Sequence, residues 1–150
     1  MTGEEAYEKY SEELIRFATG LVGPSDAGDL VMDAMMRCIY SSRWPSVRNA
    51  RAYLHQAVLR QARNHHRTTM RRRAREAAAA PPEATEAMDV RPEVLQAVAR
   101  LSMRQRAVIF LTYWSDLHPA NVAELLGIGE GSVKRHLARA RVRLKDMLDD

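Results

Sequence analysis

Ser132, Lys134, Arg135, His136 and Arg139 alternate with Val133 and Leu137 over eight residues, and Leu144 follows. At helical spacing this puts the apolar three on one side and the polar and basic set on the other. Guanidinium and ammonium groups on an exposed helix face can grip phosphate and read guanine edges. The positive end of the helix dipole adds to the hold on phosphate. Lys134, Arg135 and Arg139 suit base edges; Ser132 suits a backbone phosphate or a helix cap. The plain alternative is a solvated basic face on a core helix.

The residues just before favour the first reading. His118-Pro119 opens a short helix with proline where the missing N–H costs nothing. Val122, Ala123 and Leu126 form its inward face, Gly127 suits a left-handed turn residue, and Ile128 plugs the turn. A tight turn followed by a basic helix is a helix-turn-helix, whose second helix enters the major groove of duplex DNA.

Other chemistries find no residues to carry them. His65 and His66 are adjacent rather than one helical turn apart, and no cysteine or carboxylate cluster joins them. Neither a metal nor another cofactor is expected. With no Ser/His/Asp, Walker or paired-acid pattern, no enzymatic activity is expected either. Cys38 is the lone cysteine and lies on an apolar stripe, as a small buried hydrophobe does. No apolar run is long enough to span a membrane and the acidic start lacks a signal-peptide pattern. The expected place is therefore the cytoplasm, associated with the nucleoid.

The elements that must position these groups read as helices. Tyr7, Tyr10, Leu14, Phe17 and Leu21 mark a first buried stripe, with Gly20 weakening the helix end and Gly23-Pro24 stopping it. Ser25 or Asp26 is expected to cap a second helix with Leu30, Val31, Ala34, Met35, Cys38 and Ile39 inward. A third starts near Asn49, with Tyr53, Leu54, Ala57, Val58 and Ala62 inward and Arg51, Arg60, Arg63 and Arg67 outward. Val94, Leu95, Val98 and Leu101 mark a fourth; Met103 to Tyr113 a fifth, with Ala107, Val108, Leu111 and Thr112 inward. Pro119 to Leu126 and Gly131 to Leu148 are the sixth and seventh.

The fold expected is all-α: two small helical domains, residues 1–76 and 93–150, joined by a flexible linker at 77–92. Pro81-Pro82 and the lack of any apolar period carry the linker reading. Fully extended, its core would reach about 45–50 Å, more than one DNA turn of about 34 Å. Charge is segregated as well. Glu4, Glu5, Glu8, Glu12, Glu13, Asp26 and Asp29 face only Lys9 and Arg16, whereas the arginines between Val31 and Glu76 meet only Asp33 and Glu76. A chain that touches both a protein partner and nucleic acid would be divided in this way.

Two sets of residues, in order, resemble a known family. Leu101-Ser102-Met103-Arg104-Gln105-Arg106-Ala107-Val108, the turn Leu125-Leu126-Gly127-Ile128, Gly131-Ser132-Val133-Lys134 and the run Leu137 to Leu144 resemble region 4 of bacterial sigma-70-type sigma factors. Asp26-Ala27-Gly28-Asp29-Leu30-Val31-Met32-Asp33 resembles the region 2 helix of the extracytoplasmic-function class, and Ala52-Tyr53-Leu54 and the basic run Arg71 to Arg73 follow it. Met32-Asp33 replaces the usual Gln-Glu, Gly28 replaces an acid, and Gly129 stands where a serine usually precedes the recognition helix.

The resemblance implies a subunit that binds core RNA polymerase, directs it to promoters and helps to open the DNA. Its partners would be the clamp helices and flap of the polymerase and promoter duplex DNA, with room for an anti-sigma factor. Asp29, Leu30, Asp33, Met36 and Arg37 would carry the polymerase contact. Arg48, Asn49 and Arg51 would read the −10 element, with Arg60 and Arg63 nearby; Arg60, Arg63, Arg67 and Arg71 to Arg73 also suit phosphates or the polymerase surface. Trp44 has two readings, a face for stacking an unpaired base or a plug for the domain core. Ser132, Lys134, Arg135, His136 and Arg139 would read the −35 element. The competing readings are an autonomous helix-turn-helix regulator and an antagonist that occupies polymerase without reading DNA.

Overall fold

Thr2 starts the first helix by accepting the backbone N–H of Glu5 on its hydroxyl at 3.1 Å, and most of the described chain is helical. The computed structural model describes residues 1–75 and 91–149. Among these there is no strand; the elements are α1 (Gly3–Val22), α2 (Pro24–Ile39), a 3-10 turn (Trp44–Ser46), α3 (Ala50–Arg75), α4 (Pro92–Ala99), α5 (Met103–Tyr113), α6 (Pro119–Leu126) and α7 (Glu130–Asp149). The all-α expectation holds. Of the linker expected at 77–92, residues 77–90 lie outside the described residues, and Arg91 and Pro92 begin α4 as its cap and first residue.

Helices α1, α2 and α3 pack on one another around Leu14, Phe17, Leu21, Val31, Met35, Leu54 and Val58, all nearly inaccessible. Burial of side chains this size contributes about 1.5–3 kcal/mol each. Three local expectations are corrected here. Tyr7 is exposed and Ala6 fills the buried stripe in its place; α1 begins so close to the end of α2 that a Cβ on Gly3 would strike Ile39. Neither Ser25 nor Asp26 caps α2: Gly23, at φ 90°, turns the chain at once and Pro24 occupies the first helical position. Gly20 does not weaken α1, which continues to Val22; it is a point of close approach, where a Cβ would run into the Phe110 ring.

That ring belongs to the second half. Ser102 caps α5 through a reciprocal pair, accepting from Gln105 N–H at 3.1 Å while the Gln105 side chain accepts the Ser102 N–H at 3.2 Å. Expected to bury one side, α5 is instead covered nearly all round: Met103, Gln105, Arg106, Ala107, Val108, Ile109, Phe110 and Leu111 are all buried. A helix buried on nearly every face is a core helix, here with Gln105 and Arg106 among its buried residues. One side of α5 meets α7, and the other meets α1 and α3. The two halves thus share one continuous core, in which Phe110 lies 6.0 Å from Phe17 between ring centroids.

Candidate nucleic-acid and polymerase interfaces

The basic helix owes its orientation to the turn before it. Gly127 adopts the left-handed conformation (φ 67°, ψ 35°), and the Gly127 and Ile128 N–H groups both reach the Ala123 carbonyl. The chain re-enters a helix at once, Val133 N–H bonding Gly129 O at 3.1 Å. Val133, Leu137 and Ala140 anchor α7 in the core. Lys134, Arg135 and Arg139 are left exposed, and Ser132 and His136 half-buried beside them. Lys134 lies 3.4 Å from Glu130 one turn earlier, a surface pair weak enough for a phosphate to displace.

His136 has a depressed pKa, first because of partial burial and then because Arg104, Arg139 and Arg135 surround it. At neutral pH it is an uncharged hydrogen-bonding group in a cationic setting. Arg104 escaped the sequence reading because it sits at the start of α5, thirty-odd residues from the basic helix. Further along the helix, Arg141 and Arg143 point elsewhere: Arg143 donates to Gln105 Oε1 at 3.1 Å and Arg100 O at 2.9 Å, and Arg141 to the Tyr113 hydroxyl at 2.8 Å.

A second basic surface begins at the corner before α3. Asn49 caps the helix, its Oδ1 accepting the Ala52 N–H at 3.0 Å, and its Nδ2 donates to Glu124 of α6 at 3.1 Å. Arg48, Arg60, Arg63, Arg67, Arg71 and Arg72 are exposed; the side chain of Arg73 is outside the described set. Arg51 is committed to Glu13, its Nε donating at 2.7 Å. Trp44 is 8% exposed, packs 6.2 Å from Tyr53 and donates its indole N–H to Met1 O at 3.1 Å. In this conformation it plugs the corner and offers no free ring face.

The α2 candidates divide. Asp29, Asp33, Met36 and Arg37 are exposed on neighbouring turns, whereas Leu30 is buried. Asp33 accepts from Arg37 Nε at 3.1 Å and from Gln61 of α3, so its carboxylate also ties two helices together. Met32 and Tyr40 stand one turn either side of Met36 and are 44% and 78% exposed. Sequence reasoning singled out Met36 alone, although the four-residue spacing of the three was visible. An apolar stripe between charges has the character that suits a protein partner. Cys38, beneath it, has its pKa raised by burial, which keeps the thiol protonated and inert. Among the described residues no three His, Cys, Asp or Glu gather as a metal would need, and no helix is long and apolar enough to cross a membrane.

These two surfaces fall in two matched segments. Residues 6–72 match the family model for Sigma-70 region 2, and residues 91–144 that for Sigma-70, region 4. An RNA polymerase sigma-E factor of Streptomyces antibioticus is 32% identical, aligned over 97% of this chain and 84% of its own length. The chain belongs to the sigma-70 family. The ECF RNA polymerase sigma factor SigM of Mycobacterium tuberculosis is 29% identical over 97% of this sigma factor and 76% of its own length, in agreement with the extracytoplasmic-function class. The solved structure of the sigma factor RpoE in complex with the anti-sigma factor NepR, from Bartonella quintana, superposes with a TM-score of 0.63 at 26% identity. It covers 97% of this chain and 96% of that one.

Proposed function

We propose that this sigma factor binds core RNA polymerase and directs it to promoters whose −35 element is read by α7 and whose −10 element is read from the start of α3. The observation that carries the reading is the exposed basic face of α7, set behind a left-handed glycine turn, on the same chain as the Asp29, Asp33, Met36 and Arg37 surface. Residues 1–76 and 93–150 act as the two readers, with 77–92 between them. Lys134, Arg135 and Arg139 reach base edges or phosphate, Ser132 and His136 add polar contacts, and Arg104 widens the basic rim. Arg48 and Asn49 lead the −10 contact, and Arg60 and Arg63 follow the backbone. Arg51 and Trp44 join only if freed from Glu13 and from the corner.

On α2, Asp29, Asp33, Met36 and Arg37, with Met32 and Tyr40, meet the clamp helices, while Leu30 shapes that surface from beneath. The second half meets the flap. The chain contributes binding and no chemistry of its own, works in the cytoplasm at the nucleoid, and is open to capture by an anti-sigma factor, as the Bartonella protein is. The test is reconstitution: purified chain, bacterial core enzyme and a library of promoters, with transcript starts mapped. Promoter-dependent starts are expected. Tight, specific duplex binding by the chain alone, with no starts on addition of core enzyme, would favour an autonomous regulator instead.

A further inference from the structure

Two thioethers share one patch on the outside of α2. Met32 and Met36 stand four residues apart and are both exposed, with Tyr40 a further turn on. Residues at that spacing on a helix are neighbours, their Cβ atoms about 5–6 Å from one another. Asp29, Asp33 and Arg37 border the pair on the same helix. Elsewhere sulfur is withdrawn. Met35 and Met103 are buried and Met147 partly so; of the methionines whose side chains are described, only Met1 is exposed besides this pair. Cys38 lies in the core beneath the patch, where burial keeps its thiol protonated.

This distribution sorts the sulfur chemistry open to the folded chain. A peroxide in solution reaches Met32 and Met36 before Met35, Met103 or Cys38. The thioether sulfur attacks one peroxide oxygen with a lone pair; the S–O bond forms, the O–O bond breaks, and the departing hydroxide takes up a proton to become water. The methionine is oxidised to its sulfoxide and the peroxide is reduced. An apolar side chain has then become a polar, chiral one whose oxygen accepts hydrogen bonds. On an exposed face that oxygen stays in water, and the inner face of α2, with Leu30, Val31, Met35 and Cys38, is untouched. Inside an interface the same oxygen must find a donor or be stranded.

We propose that Met32 and Met36 form a reversible oxidation site on α2, at which a peroxide turns an apolar docking patch into a polar one and releases the sigma factor from core polymerase. The place of the site rests on exposure and spacing; its effect rests on the reading of α2 as the polymerase-binding surface. Methionine sulfoxide reductases, one enzyme for each sulfoxide epimer, would reset it.

The test uses the full chain, treated with graded hydrogen peroxide, freed of oxidant and mapped by mass spectrometry of its peptides. Met32 and Met36 should each gain an oxygen atom before Met35 or Met103 does. The oxidised chain is then titrated with untreated core enzyme by fluorescence anisotropy. Affinity should fall about tenfold or more, the scale of a stranded polar group, at an unchanged thermal midpoint, and the two reductases together should restore it. A double variant, Met32→Leu with Met36→Leu, keeps every other methionine. Whatever its starting affinity, the same treatment should shift it by less than about twofold. Oxidation that reaches Met35 or Met103 first overturns the site. Sulfoxides at both positions with no loss of affinity, or an equal loss in the double variant, overturn the switch. An untreated chain with no affinity for core enzyme counts against the polymerase reading and takes the switch with it, while the order of oxidation still decides the site.

Discussion

Arg106 on α5 donates to the carbonyl of Leu21 in the last turn of α1 at 2.8 Å, so a charge from the second half closes a helix of the first. The same guanidinium reaches Ala99 O at the end of α4 and Leu101 O. Last-turn carbonyls lack helical partners, and a cation there also meets the negative end of the helix dipole. Burial lowers the Arg106 pKa, though an arginine this basic keeps its charge. Arg106→Met should therefore cost about 1–3 kcal/mol, the penalty for stranding buried acceptors less the relief of a buried charge. Urea unfolding measures it; a variant as stable as wild type would mean that water reaches those carbonyls.

His55 predicts acid sensitivity. It is fully buried between α1 and α3, its ring 5.0 Å from Phe17. Nδ1 lies 2.8 Å from Arg51 O, and since a carbonyl only accepts, that nitrogen carries the proton. Nε2 has no hydrogen bond, with Glu13 Oε1 at 3.5 Å. Burial pushes the His55 pKa below its usual value of 6.5; the Arg51 hydrogen bond and Glu13 oppose this, and the Arg51 charge adds to it. The unfolded chain then binds the proton more readily, so stability present above pH 6.5 is lost as pH falls below it. One such group contributes at most about 1.4 kcal/mol per pH unit. Unfolding free energies measured from pH 8 to 5 should decline, and His55→Gln should flatten the decline; an unchanged slope in the variant would acquit His55.

The glycine turn, the proline-led α6 and the basic α7 were readable from residues alone, because each rests on local geometry within a few positions. Much of the buried sets of α2 and α3 was readable too, although Ala27, Ala52, His55 and Leu59 are also buried and Ile39, Tyr53 and Ala57 are only partly so. The seam between halves was not readable. Ile109 and Phe110 fall outside the stripe that faces α7 and look superfluous until α1 is placed against them. Gly20 reads as a helix breaker unless the ring above it is known. Arg106 reads as one more basic residue in a basic segment, since nothing in its neighbours announces that three carbonyls converge on it. Long-range packing leaves its trace in residues that break the local pattern, and that trace has no direction.

The apolar stripe on α2 should matter to polymerase and not to folding. Met32, Met36 and Tyr40 are exposed and lie on successive turns. Burying one such side chain in an interface contributes about 1–2 kcal/mol when it begins half-covered, a factor of about 5–30 in Kd. Met36→Ala is therefore expected to weaken binding to core enzyme about tenfold at an unchanged thermal midpoint. Fluorescence anisotropy of labelled chain titrated with core polymerase reads the first, and thermal unfolding the second. Met36→Ala with wild-type affinity would remove the stripe from the interface.

Charge reversal on α7 separates reading from docking. Lys134 and Arg135 are exposed, and neither is tied to the core: Lys134 meets only Glu130, on its own helix, in the salt bridges recorded among the described residues. Lys134→Glu and Arg135→Glu should thus leave stability within about 0.5 kcal/mol of wild type. Each lost base contact should cost about 1–3 kcal/mol of discrimination, and each lost phosphate contact should reduce the salt dependence of binding by about one unit of slope. Holoenzyme carrying either variant is expected to bind core normally and to lose preference between promoters with intact and scrambled −35 elements. If selection between those promoters survives both reversals, the basic face of α7 is only a solvated surface, and −35 reading has to be sought on the Arg104 rim instead.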